Sequence, residues 1–180
     1  MSSHPRLAST RLVKVPGERR WKAVPAYTQR TYSPGEIARA LHQALHEAAR
    51  SADPAADLAT RYRAASAATL GLATVVLRVS GYDTVPQLSP KETFDALPTL
   101  FGPDDRKAAA VILAAHEKSR SKSLGKSPVA LKRSLRELSE ALESFRTQVL
   151  EWLETTRPGL LPTAPPAPPK DDEAYQRRLF

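Results

Sequence analysis

One stretch of the sequence holds several residue types that can act on phosphate esters. Residues 116–127 read HEKSRSKSLGKS and place His116 one helical turn before Arg120. An arginine can hold a phosphate, and a neutral histidine can accept a proton near neutral pH. We interpret His116 as a partly buried structural residue, and the stretch as a basic surface.

Two other histidine arrangements are candidate sites. Arg39 and His46 lie seven residues apart, so they share one face of a predicted helix and form a candidate catalytic pair. The alternative is a surface arginine with a histidine at the helix margin. His42 and His46 could supply half of a metal site, but no third ligand is suggested. The chain contains no cysteine, so it cannot form a thiolate metal site. We predict no metal and no cofactor.

The GKS sequence at 125–127 is not a nucleotide-binding loop. That loop requires a glycine five residues before its second glycine, where this chain has Arg120, and a preceding strand is not predicted. We interpret the sequence as a helix break followed by a helix cap at Ser127.

Positive charge is unevenly distributed along the 180-residue chain, whose net charge is +8. Residues 1–32 carry +6, residues 33–157 carry +2, and residues 158–180 are neutral. A basic patch extends from residue 118 to residue 136 without an acidic residue and comprises Lys118, Arg120, Lys122, Lys126, Lys132, Arg133 and Arg136. The arm contributes Arg19, Arg20, Trp21 and Lys22. Such groups suit phosphate contact and base stacking, although a solvated helix end is the alternative.

Helix signals recur along the chain. SPGE, SPKE and SPVA each place serine at an N-cap and proline at the first helical position, and the first two complete a capping box. These caps, with Asp53-Pro54 and GPDD, predict helices beginning near 34, 54, 90, 104 and 128. The second should end near Gly81, and the fourth near 124.

The helices should form an all-α, antiparallel bundle of four to five helices. In the last helix, a stripe at helical spacing comprises Leu131, Leu135, Leu138, Leu142, Phe145, Val149 and Trp152. The second helix is rich in small residues, which let another helix approach closely. We therefore divide the chain into a basic arm (1–32), a bundle (33–157), and a Pro-rich spacer with a terminal peptide (158–180). The arm is either a hairpin around Pro16-Gly17 or disordered.

No secretory signal and no apolar run of about 18 residues is found, so a cytoplasmic protein without a membrane segment is expected.

The segments YRAASAATLGLATVVLRVSGYDT and HEKSRSKSL, with the capped final helix, resemble the HEPN family (higher eukaryotes and prokaryotes nucleotide-binding). The resemblance covers about 100 residues. It implies a helical bundle, a homodimer and a setting in bacterial defence or a toxin and antitoxin pair.

The family's catalytic signature is an arginine followed after four to six residues by histidine. Arg120 with Ser121 matches its first part, but residues 124–127 read LGKS and no histidine follows. We therefore expect a degenerate site and a module that binds RNA, more than DNA, without cutting it. Two alternatives remain: an assembly subunit whose arm and tail dock on a larger protein complex, and a metal-independent ribonuclease using Arg39 and His46.

Overall fold

The computed structural model describes residues 10–14, 21–84, 90–100 and 127–161. Within these ranges the protein is mostly helical, as the sequence predicts. The four helices are α1 (Pro34–Ala52), α2 (Leu58–Val79), α3 (Pro90–Leu100) and α4 (Pro128–Thr156), and a short 3-10 helix follows at Pro158–Leu160. The helix predicted from 104 to 124 lies outside the described residues. Among the described helices, none is long and apolar enough to cross a lipid bilayer.

Two small antiparallel sheets accompany the helices. Strand β1 (Thr10–Lys14) pairs with β2 (Trp21–Pro25) in an antiparallel arrangement, and the turn predicted at Pro16-Gly17 lies outside the described residues. Strand β3 (Tyr27–Gln29) pairs with β4 (Tyr82–Thr84), which follows α2 directly. The second sheet therefore joins the end of the arm to the end of α2.

The predicted cap of α1 is confirmed in detail. The Ser33 hydroxyl accepts a hydrogen bond from the Glu36 amide, and the Glu36 carboxylate accepts one from the Ser33 amide. These two bonds satisfy amides that would otherwise have no partner at the helix start. Ser127 caps α4 through a single hydrogen bond, since its hydroxyl accepts from the Ala130 amide.

The predicted start of α2 at residue 54 is wrong. Asp53 ends α1, and its carboxylate accepts from the Ala55 amide at 2.9 Å. The cap of α2 is Asp57, whose carboxylate accepts from the amides of Ala59 and Thr60. A helix beginning at 54 would have left no residues for the reversal, because α1 continues to Ala52. The chain uses residues 53–57 to turn.

Helices α1 and α2 pack as a close antiparallel pair. The Arg61 side chain near the start of α2 donates to the carbonyl of Ser51 near the end of α1. Further along, Gly71 lies so close to Ala44 that a Cβ on Gly71 would stand 2.9 Å from the Ala44 Cβ. The expected role of small residues in helix approach is thus confirmed.

The stripe of α4 faces the core as predicted. Its middle members Leu135, Leu138, Leu142, Phe145 and Val149 are buried, while Leu131 and Trp152 are partly buried at its edges. Leu153 is also fully buried and extends the apolar face. This face packs on α2, where Ala65, Ala68 and Leu72 belong to the same cluster. Burial of these side chains is the main source of stability.

Residues 26–32 contribute to this core although their charge assigns them to the arm. Ala26 is fully buried, Tyr32 is 9% exposed, and strand β3 lies between them. At the other end, Leu160 in the 3-10 helix is buried against the same cluster. Both extensions therefore reach the end of α2, where they form the cavity described below.

Candidate functional site

A basic groove lies between the beginnings of α2 and α4. It has a volume of about 510 Å³, and its cationic lining comprises Arg61, Lys132, Arg133 and Arg136. Leu58 and Val129, the latter 79% exposed, add apolar surface. The structure therefore brings three residues of the predicted basic patch together with Arg61, which the sequence did not single out.

Two of the four cations in the basic groove are paired along α4. The Nε atom of Arg133 lies 3.1 Å from Oε1 of Glu137, and the Nε atom of Arg136 lies 4.0 Å from Oε1 of Glu140. These pairs are exposed, so they contribute little stability and can exchange for other anions. Lys132 makes no ion pair with a described residue, and Arg61 donates its Nε hydrogen to a carbonyl. The basic groove therefore retains positive charge.

Helix direction adds to that charge. The first turns of α2 and α4 both line the basic groove, and the ends of both helices line a second cavity, which contains Arg78 and Arg157. The two helices therefore run parallel. Both positive helix ends thus meet at the basic groove. At α2 the carboxylate of Asp57 already accepts from the amides of Ala59 and Thr60. Its pKa is lowered first by the hydrogen bond from the Thr60 hydroxyl and then by those from the amides. At α4 the cap is the neutral Ser127, so its dipole is not offset by a carboxylate.

The other predicted nucleic-acid contacts are only partly placed. Lys118, Arg120, Lys122, Lys126, Arg19 and Arg20 lie outside the described residues. Trp21 and Lys22 lie in strand β2, where they pair with Lys14 and Val13 respectively. This aromatic and cationic pair therefore lies on one strand of the sheet formed by β1 and β2.

The candidate catalytic pair lies on the surface of α1. Arg39 and His46 are both exposed, and Arg39 donates to the carbonyl of Gly35 one turn before it. Neither residue lines the basic groove or the cavity beside Tyr32. Within the described ranges, no group of three or more histidine, aspartate or glutamate residues is placed to hold a metal ion.

A second cationic feature, the arginine cavity, lies at the opposite end of α2. Its volume is about 670 Å³, and it is lined by Arg30, Arg78 and Arg157 around Tyr32. The guanidinium carbons of Arg30 and Arg78 lie 4.7 and 4.9 Å from the centre of the Tyr32 ring, which is the geometry of cation–π contact. Ile37, Val79 and Leu160 form the apolar part of the wall.

Tyr32 is held in place by a long-range hydrogen bond. Its hydroxyl donates to Asp83 in strand β4, and Asp83 also accepts from the Thr84 amide. Gly81 makes this geometry possible, since its φ of 81° lets the chain turn from α2 directly into β4. Burial raises the pKa of Tyr32, and the hydrogen bond and charge of Asp83 raise it further, whereas Arg78 and Arg30 oppose the shift.

Stability should therefore depend on Tyr32 at alkaline pH. Because the folded pKa of Tyr32 is raised, its contribution is present below about pH 10 and is lost as pH rises through the folded value. Tyr32→Phe should reduce the fall in unfolding free energy between about pH 9 and pH 11. Urea titrations across that range measure the difference. Parallel pH profiles for the two proteins would contradict the assignment.

The arginine cavity was not foreseen from the sequence. Tyr32 and Asp83 are 51 residues apart, and Arg30, Arg78 and Arg157 lie in three separate segments. No spacing rule connects residues so distant, because only the pairing of β3 with β4 brings them together. A local signal existed for Gly81 alone, as a glycine ending a helix.

No family model matches the chain, and the searches of curated proteins and of solved structures found no significant match.

Proposed function

We propose that the chain is a non-catalytic, HEPN-like helical module that binds RNA or an RNA-containing complex. Bacterial defence, or a toxin and antitoxin pair, is the setting that the resemblance implies. The observation that supports binding is the basic groove, where Arg61 from α2 meets Lys132, Arg133 and Arg136 from α4.

The basic groove has the features of a phosphate-backbone contact. Exposed cations that are unpaired or weakly paired release counterions on binding a polyanion, and this release drives association. The N-terminal end of α4, which carries the positive end of the helix dipole, also lies at the basic groove. The apolar surface of Val129 beside the cations offers a contact for a base or ribose. RNA is favoured over DNA by the family resemblance.

Two features of the chain support binding without cleavage. Arg120 has no histidine after it in the sequence. Arg39 and His46 are exposed on α1, and neither lines the basic groove. A lysine such as Lys126 could replace the histidine only with a strongly lowered pKa. We therefore assign binding, and we expect no loss of function in His46→Ala.

Binding to a labelled single-stranded RNA of about 12 nucleotides, measured by fluorescence anisotropy at several salt concentrations, tests the proposal. Lys132→Gln with Arg136→Gln should raise Kd about tenfold and reduce the salt slope by about 2. Arg63→Gln with Arg146→Gln is the matched control, since it removes the same charge away from the groove. The control should bind like the unaltered protein.

Two outcomes would overturn the proposal. One is equal affinity of the groove variant and the control variant, which would separate RNA binding from the basic groove. The other is a chain that binds no RNA but keeps a protein partner after nuclease treatment of the native extract. That second result would make the protein an assembly subunit.

A further inference from the structure

The arginine cavity contains more cationic groups than carboxylates to neutralise them. Arg30 lies 3.8 Å from Glu36, and Asp83 is engaged by the Tyr32 hydroxyl. Arg78 and Arg157 form no ion pair with a described residue. Two guanidinium groups at one cavity are therefore available to an anion.

Arg78 shows the strongest sign of an incomplete site. Its Nε atom is fully buried, yet it has no hydrogen-bond acceptor among the described residues. Proteins rarely bury such a donor without a partner, because the group loses its hydration and gains nothing in return. An anion bound beside this guanidinium offsets part of that loss, since its charge stabilises the half-buried cation.

The chemistry of the wall indicates which anion fits. Arginine forks bind phosphate oxygens in pairs, and a phosphate ester carries between one and two negative charges at neutral pH. A single carboxylate would neutralise only one of the two available cations. The same cavity is also lined by Ile37, Val79 and Leu160, which offer apolar surface for the organic part of a ligand.

We propose that the arginine cavity binds a phosphomonoester, with the phosphate on Arg78 and Arg157 and the organic group against Ile37, Val79 and Leu160. The volume of about 670 Å³ lies within the usual range for small-molecule sites and exceeds what inorganic phosphate requires. Tyr32 orients Arg30 and Arg78, and it acts as a positioning residue because its ring lies beneath both guanidinium groups.

This site is separate from the basic groove and goes beyond the proposed function. The two features lie at opposite ends of α2, whose 22 residues extend over about 33 Å. A variant of one site therefore leaves the other intact. The phosphomonoester has two possible sources, namely a free nucleotide or sugar phosphate, and the phosphorylated 5′ end of an RNA.

Calorimetric titration of the full chain distinguishes these sources. The probes are inorganic phosphate, ribose 5-phosphate, adenosine 5′-monophosphate and adenosine, with a short RNA bearing either a 5′-phosphate or a 5′-hydroxyl. We expect the phosphomonoesters to bind more tightly than inorganic phosphate, and adenosine not to bind. Preference for the 5′-phosphorylated RNA over the nucleotide would identify RNA ends as the source, and the reverse would identify free metabolites.

Variants assign the binding to the cavity. Arg157→Gln should weaken binding of the phosphomonoester about tenfold, and because Arg157 is exposed at the end of α4 the variant should fold normally. Arg78→Gln should weaken it further if the variant folds. Arg63→Gln, an exposed position of α2 outside the cavity, is the matched control. Lys132→Gln with Arg136→Gln should bind the phosphomonoester normally, which separates this site from the basic groove.

The proposal is overturned if no phosphomonoester binds the unaltered chain at millimolar concentration. It is also overturned if Arg157→Gln binds as tightly as Arg63→Gln, because the affinity would then come from somewhere other than the cavity.

Discussion

Replacing Gly71 by leucine should lower the free energy of unfolding by about 3 kcal/mol. A Cβ at this position would stand 2.9 Å from the Ala44 Cβ and 3.4 Å from the Ala44 Cα, so even alanine would force the helices to adjust. Ala44 is itself buried on α1, and its backbone cannot move aside as a flexible side chain can. Leucine would therefore separate α1 from α2 and loosen the core that both helices share.

Urea unfolding followed by circular dichroism measures this effect, and Gly35→Leu is its matched control. Gly35 lies in the first turn of α1, where a Cβ would meet nothing within 4 Å. The control should change stability by less than about 0.5 kcal/mol, as is usual for surface positions. Equal stability of the two variants would show that α1 and α2 do not approach as closely as described.

Replacing Phe145 by alanine should cost about 3 to 5 kcal/mol of stability. Phe145 is fully buried at the centre of the α4 stripe, and it belongs to the cluster that joins α4 to α2. Truncation removes most of a large apolar side chain and leaves a cavity that the helices can fill only in part. We expect the melting temperature to fall by about 6 °C or more, since a chain of this size loses about 2 to 4 °C per kcal/mol.

The exposed valine of the same helix provides the control for Phe145. Val129 is 79% exposed, so Val129→Ala should leave the melting temperature within about 2 °C of the unaltered protein. A small effect of Phe145→Ala, comparable with that of Val129→Ala, would mean that α4 does not contribute its apolar stripe to the core.

Helix positions were the most predictable part of this fold. The Ser-Pro pairs at 33 and 127 are strong local signals, because the cap and the fixed φ of proline act within a single turn. Asp53-Pro54 resembles them locally, yet Asp57 forms the cap of α2. The difference is the length of chain needed to reverse direction, which no capping pattern encodes.

The candidate sites were less predictable for a related reason. The clustering of Lys132, Arg133 and Arg136 could be read from one helical segment, because residues three and four apart share a face. Arg61 could not be added, since its position beside them depends on the packing of α2 against α4. The arginine cavity is formed by residues from three distant segments of the chain. No pattern in the sequence predicts that these residues lie close together.

The pairing of β3 with β4 has a consequence for how the chain folds. Helices α1 and α2 are joined by a five-residue reversal and can associate soon after each forms, whereas the Tyr32 to Asp83 contact closes a loop of 51 residues. Arg157 and Leu160 then have to arrive from a still later segment. During synthesis on the ribosome, the cavity is therefore completed only after α4 has emerged. Affinity for a phosphomonoester would appear as the last step of folding, which makes such a ligand a reporter of the finished protein.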